Sequence, residues 1–140
     1  MHSPQSFRFC LLFSLASMMT LAGGCGGESA GPPRATVTGK ITLDGTPVLG
    51  GEIRFRPSQG AETSTLISSE GTYRIDRLTD GPVVGANKVF IEWFRPSGKV
   101  DEDGNPILEA VIPEKYNLSS TLSAEIKPGN NVHHFDLQSK

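Results

Sequence analysis

The chain has 140 residues, which is enough for one ordinary domain and too few for two. Its 16 glycines, 10 prolines and 36% apolar residues favour an all-β fold rich in turns over a helical bundle, which tolerates little Gly and Pro. The net charge is -2, and the 13 Lys and Arg residues are scattered rather than clustered. Because nucleic-acid binding needs a basic patch, we expect no nucleic-acid partner.

The amino-terminal part of the chain contains its most apolar run, residues 9–22. This run is too short to cross a bilayer as a mature helix but has the length of a signal-peptide core, and Arg8 supplies a positive charge before it. Cys10 lies inside the run and Cys25 just after it. Since a signal peptide is removed, we expect no disulfide between the two cysteines.

The segment that ends this run resembles the lipobox of bacterial lipoproteins, in which a Leu and small residues precede a cysteine. The residues that carry the resemblance are Leu21, Ala22, Gly23, Gly24 and Cys25. Leu21 stands one position earlier than usual, with Ala22 in the usual Leu place, so a plain secretory signal cut nearby is the alternative. The resemblance implies a signal peptide over 1–24, acyl chains on the Cys25 thiol and a tether over 25–35, whose Gly, Ser and Pro content is typical of a linker.

From Thr36 onward, apolar and polar residues alternate with the period of half-buried strands. Turn signals such as Asp44-Gly45 separate them. The predicted strands are 36–43, 52–56, 63–69, the segment after the Glu70-Gly71 turn, 86–94, 122–126 and 133–137. Seven short strands at this spacing predict an all-β sandwich or small barrel.

Residues 96–120 are the exception, because they contain Pro and Gly but no sustained alternation. We predict a long loop here, and such loops are usually functional or mobile. Within it, Ile112 and Tyr116 are expected to pack onto the sandwich and residues 101–105 to be exposed.

Four phrases of the chain together resemble a known family. They are VTGKITLDGTPVLGGEIRFRP, SSEGTYRI, VIPEKYN and IKPGNNVHHFDL. They are similar to the carboxypeptidase-regulatory-like, transthyretin-like domains found as short lipoproteins of planctomycete bacteria. The resemblance implies a seven-stranded transthyretin-like (Ig-like) sandwich over 36–138, but no particular function, because this fold carries unrelated roles. The zinc-binding catalytic domain of the carboxypeptidases has no counterpart in this sequence.

The polar residues give little support for catalysis or metal binding. His133 and His134 are adjacent, and on a strand their side chains point to opposite faces, so they cannot easily share one ion. The acidic segment 101–105 has calcium-loop spacing, but its Gly104 is misplaced and Ile112 stands where the closing Glu would be. No serine lies in a nucleophile elbow. We therefore predict no catalytic residue, metal or cofactor, and no enzyme.

Two aromatic residues are the candidate contact site. Phe90 and Phe94 share a face of the predicted strand 86–94, opposite Val89, Ile91 and Trp93. If the latter three face the core, the two phenylalanines need another cover. Either residues 96–120 fold over them, or they contact an apolar protein or a glycan.

The sequence thus predicts a membrane-anchored lipoprotein whose sandwich is a non-enzymatic binding or structural module. Its partners would be the membrane, through the lipid on Cys25, and an envelope protein or glycan. The expected location is the cell envelope, at the outer membrane or facing the periplasm; Gly26, rather than Asp, after the cysteine favours the outer membrane. The alternative is a secreted carbohydrate-binding domain. This alternative is weaker, because such a domain is expected to have several solvent-facing Trp or Tyr residues and the chain has few.

Overall fold

The computed structural model describes residues 31–140, so the predicted signal peptide and the lipobox, Leu21, Ala22, Gly23, Gly24 and Cys25, lie outside the described residues. The described part is all-β, with eleven strands and one 3-10 turn. The elements are β1 (Thr36–Leu43), β2 (Thr46–Pro47), β3 (Glu52–Pro57), β4 (Thr63–Leu66), β5 (Thr72–Ile75), β6 (Gly85–Glu92), β7 (Phe94–Val100), β8 (Pro106–Ala110), η1 (Glu114–Tyr116), β9 (Ser123–Ile126), β10 (Asn130–Val132) and β11 (Phe135–Leu137).

The first sheet is built around the long strand β1. On one side β1 pairs antiparallel with β5, from Val37 opposite Ile75 to Lys40 opposite Thr72, and then with the short β2. On its other side β1 pairs in parallel with β10 and then with β11. The turn between β1 and β2 has positive φ at Asp44 and Gly45, which confirms the predicted tight turn.

The second sheet has the order β4-β3-β6-β9 and is antiparallel throughout. The alternation of each strand places one set of side chains between the two sheets, where they are almost completely removed from water. The first sheet contributes Val37, Ile41, Tyr73, Ile75, Phe135 and Leu137, and the second contributes Ile53, Phe55, Val89, Ile91, Ala124 and Ile126. This confirms the predicted all-β sandwich class. The predicted count of seven strands is wrong, because β2, β7, β8 and β10 were not predicted, and none of these four has an alternating set of buried apolar residues.

Residues 96–120 are not the loop that we predicted. β7 and β8 pair with each other as a separate two-stranded hairpin, and η1 follows. The predicted strand 86–94 is also wrong at its end, because β6 stops at Glu92 and Phe94 already belongs to the hairpin. Ile112 is buried, Tyr116 packs partly against the core and residues 101–105 are exposed, as expected.

The chain enters the sandwich beside residues 82–84. Arg34 forms an isolated antiparallel bridge with Val83, and the Ala35 N–H donates to the Pro82 carbonyl at 3.0 Å. The Arg34 guanidinium donates to the Gly81 carbonyl at 2.6 Å and to Thr63 Oγ1 at 2.9 Å. We call this side of the sandwich, where β6 begins, the entry end, and the opposite side, where β6 stops, the hairpin end. The eight residues of β6 separate the two ends by roughly 23 Å.

Candidate functional site: an apolar corner at the base of the hairpin

Phe90 lies on the outer face of the second sheet but is closed off from solvent. It is only 5% exposed, because three cationic side chains surround its ring. Their distances to the ring centroid are 4.4 Å for Arg56, 5.5 Å for Lys88 and 5.6 Å for Arg54. Such cation–π contacts stabilise the sheet face. These three cations, which the sequence did not predict as a cover, lie over the ring. Phe90 is therefore not part of an exposed contact surface.

Phe94, by contrast, is 50% exposed at the start of the hairpin. Together with Trp93, Ala110 and Leu118 it lines a cavity of about 170 Å³, above the buried Ile112. An apolar cavity of about 150 Å³ accommodates a benzene ring, so this one is large enough for one apolar side chain. The two phenylalanines that the sequence pairs on one face therefore lie in different environments.

Two glycines hold Trp93 in this position. A Cβ on Gly50 would approach the Trp93 ring nitrogen to 3.0 Å. Gly51 has a φ of +92°, and a Cβ there would collide with the carbonyl oxygen of Glu92. The backbone before β3 thus passes against the Trp93 ring only because both residues lack side chains. Our sequence reasoning missed this contact, and its only signal is the Gly-Gly pair before a strand.

A polar cluster fixes one wall of the cavity. Glu92 Oε2 accepts hydrogen bonds from Asn117 Nδ2 at 2.7 Å and from Arg54 Nη2 at 3.3 Å. Arg54 Nη2 also donates to Asn117 Oδ1 at 3.0 Å. These bonds tie the segment after η1 to β6, and they occupy the hydrogen-bonding groups of Asn117. Glu52, opposite Glu92 across the sheet, and Glu114 at the cavity wall form no salt bridge within residues 31–140.

The hairpin continues the cavity as an apolar face. In its register Phe94 is opposite Ala110 and Pro96 is opposite Leu108, and alternation places these four side chains on one face. The intervening pair, Arg95 and Glu109, lies on the other face and forms a 2.9 Å salt bridge. Among the residues of the face, Leu108 is 58% exposed, and the neighbouring Leu118 is 77% exposed.

We call this surface the corner site and define it by five residues: Trp93, Phe94, Leu108, Ala110 and Leu118. A two-stranded hairpin is marginally stable in water unless its apolar face is covered. Within residues 31–140 this face remains largely exposed, because Leu108 is 58% and Phe94 50% exposed and all five residues of β8 are exposed.

The other residues considered from the sequence have local structural partners. His134 Nδ1 accepts the Lys40 N–H at 3.0 Å, and the His133 ring lies 3.2 Å from the Glu125 carbonyl oxygen. Asp101 accepts the Asn105 N–H at 2.8 Å, and this bond, with further bonds from the same turn, lowers the pKa of Asp101. In the described part of the chain, no three His, Cys, Asp or Glu side chains are grouped to hold a metal ion. The same part contains no helix that could span a membrane.

Comparison of the chain with protein-family models and with curated proteins gave no match. The chemistry of the corner site is therefore derived from its own side chains. They offer apolar surface, one cavity of side-chain size and the carboxylate of Glu114 at its wall, whereas the Glu92 carboxylate is already paired with Arg54. Such a surface can bury an apolar group of a partner and attract a positive charge beside it.

Proposed function

We propose that this protein is an envelope lipoprotein of the carboxypeptidase-regulatory-like, transthyretin-like type that acts as a non-enzymatic binding module. Lipid on Cys25 would hold it at a membrane, and the corner site would contact another protein. The lipobox resemblance supports the anchor. The exposed apolar corner supports the binding role, and it is the single observation on which that role depends.

The corner site is suited to a protein contact because its exposed residues are large and adjacent. Covering a Phe or Leu side chain contributes about 1.5–3 kcal/mol when it becomes fully buried. Phe94 and Leu118 are both at least half exposed, and they share the wall of one cavity. Aromatic residues are enriched in protein interfaces, and Trp93 and Phe94 supply two of them at this cavity.

The alternative of glycan binding is less well supported by the polar groups of the site. A sugar needs free hydrogen-bonding partners beside an aromatic ring. Here the side chains of Asn117 and Glu92 are already bonded to each other and to Arg54. The neighbouring exposed residues, Leu66 and Leu118, are aliphatic and offer a sugar no hydrogen bond.

Site-specific photocrosslinking in cells tests this proposal. A photoreactive residue at position 118 should crosslink to a discrete protein, and Phe94→Ser in the same chain should remove that product. Position 78 is the matched control, because Leu78 is 80% exposed and lies outside the corner site. Equal products from both positions, or a product at 118 that survives Phe94→Ser, would contradict the proposed binding role.

A further inference from the structure

The outer edge of β8 is unpaired, and this edge indicates what kind of partner binds at the corner site. The inference depends on the binding function proposed above. We propose that the occupant is an extended segment of another protein that adds as a third strand to β8. Its side chains would alternate apolar, basic, apolar, with the basic residue opposite Glu109.

The backbone of the hairpin supports strand addition. β8 pairs with β7 and with no other strand of the described chain, so its outer edge has N–H and C=O groups without a strand partner. β8 contains no lysine; its one proline, Pro106, is its first residue, and Glu109 is its only charged side chain, so residues 107–110 are little protected against pairing. A third strand would use these groups and turn a marginal ribbon into a small sheet with an apolar face.

The register of the hairpin determines the side-chain pattern of the added strand. Residues opposite Leu108 and Ala110 would point to the apolar face, and the one at Ala110 would lie beside the cavity. The residue between them would lie opposite Glu109, on the face of the Arg95–Glu109 salt bridge. A Lys or Arg there would extend this pair to a row of three alternating charges, which is favourable across strands.

The charge of the surrounding segment favours a basic partner. Residues 94–118 contain five acidic and three basic side chains. Three of the acidic ones, Asp101, Glu102 and Asp103, lie at the exposed tip of the hairpin. This charge steers a basic segment towards the hairpin and repels an anionic lipid surface.

A second copy of the chain fits this edge less well. β8 has the sequence PILEA and contains no Lys or Arg. An antiparallel β8–β8 pair centred on Leu108 would place Ile107 opposite Glu109, and one centred on Glu109 would place two carboxylates together. Neither arrangement supplies the positive charge, and like charges directly opposite each other are destabilising.

A short synthetic peptide of alternating Leu and Lys tests the proposal on the full chain in zwitterionic nanodiscs, with empty nanodiscs as the blank. We expect slower hydrogen exchange of the β8 amides with this peptide. A peptide of the same composition with Leu and Lys in separate blocks should give no protection. Equal protection by both peptides, or none by the alternating peptide, would overturn strand addition.

A charge swap tests the position of the basic residue. Glu109→Lys should weaken binding of the Leu–Lys peptide roughly fivefold and strengthen binding of an alternating Leu–Glu peptide, because the opposite cross-strand charge is reversed. Glu102→Lys makes the same charge change at the hairpin tip and should have a much smaller effect. Equal effects of the two variants would overturn the pairing with Glu109.

Two further outcomes would show that the partner at the β8 edge is not a segment of another protein. Protection of β8 without peptide that rises with protein concentration, together with a dimer by light scattering, would assign the edge to a second copy. Protection by anionic nanodiscs alone would assign it to lipid. If photocrosslinking at position 118 succeeds while the peptide fails, only strand addition is overturned, whereas failure of the crosslinking itself overturns the proposed function.

Discussion

Position 39 requires glycine because there is no room for a side chain, not because its backbone angle is unusual. A Cβ at this position would collide with the carbonyl oxygen of His133 and approach the Tyr73 ring to 2.7 Å. The His133 carbonyl turns inward here, between β10 and β11, and accepts the Tyr73 hydroxyl at 2.8 Å. The two adjacent histidines thus lie between β10 and β11, and the contact with the Tyr73 hydroxyl is made by the backbone oxygen of His133 rather than by an imidazole ring.

Gly39→Ala should therefore destabilise the fold. Overpacking of this kind costs about 1–3 kcal/mol in the free energy of unfolding, which urea denaturation measures. Gly31→Ala is the control, because nothing lies within 4 Å of a Cβ at that position, and it should change stability by less than about 0.5 kcal/mol. Equal stability of the two variants would show that the His133 carbonyl does not occupy the space above Gly39.

The turn at the hairpin tip should depend on the charge of Asp101. Its carboxylate accepts the N–H groups of Asn105 and Asp103, and these bonds hold its pKa below the usual value of about 3.9. Because the folded pKa is depressed, the contribution to stability is present above about pH 3.9 and is lost as the pH falls through the folded pKa. A carboxyl NMR titration should give this low pKa, and a value at or above 3.9 would contradict the turn geometry.

At the scale of the element, a strand could be predicted from the sequence where one of its faces is buried, because apolar and polar residues then alternate. β3 and β6 alternate because Ile53, Phe55, Val89 and Ile91 all face the core. β7 and β8 have no buried face, so nothing in their sequence had to alternate, and residues 96–120 resembled a loop. The cover of Phe90 was also unpredictable, because it depends on which cations the cross-strand register brings beside the ring.

Gly51 lies directly against Trp93, the residue between β6 and β7. Gly51→Ala should displace the only tryptophan of the chain, since the added Cβ would lie 2.6 Å from the Trp93 Cβ. We expect a red shift of the fluorescence and loss of the crosslink from position 118. Gly45→Ala is the control, because Gly45 also has positive φ but open space around it. A red shift in both variants would assign the effect to backbone strain alone.

Substitution of the two candidate phenylalanines should have different effects, one on the stability of the fold and the other on partner binding. Phe90→Ser removes a buried ring and should cost about 3–5 kcal/mol of unfolding free energy. Phe94→Ser removes a half-exposed ring, so it should cost about 1 kcal/mol or less while it weakens partner binding. Denaturant unfolding and crosslinking yield from position 118 measure the two effects. A large loss of stability in Phe94→Ser would make Phe94 a packing residue instead.

For the whole molecule, the entry end, where the described chain begins, and the corner site lie at opposite ends of the sandwich. Pro32 packs near Gly60 at the entry end, and the Arg34 contacts hold the chain there. The chain between Cys25 and Pro32 spans at most about 25 Å when fully extended. If Cys25 is anchored as proposed, the entry end would lie within about that distance of the membrane, and the corner site would lie roughly 23 Å further along the sandwich.

The two cysteines provide a direct test of this arrangement. Cys25→Ser should abolish labelling with a fatty-acid analogue and release the protein from the membrane fraction, because the acyl chains supply the membrane affinity. Cys10→Ser changes the same atom inside the predicted signal peptide and should leave labelling and fractionation unchanged. Membrane retention with full labelling in Cys25→Ser would contradict the anchor, and release of the unaltered chain into the medium without label would favour the secreted alternative. Because Cys25 is not one of the residues of the corner site, the released Cys25→Ser protein should still bind the alternating Leu–Lys peptide, which separates location from recognition.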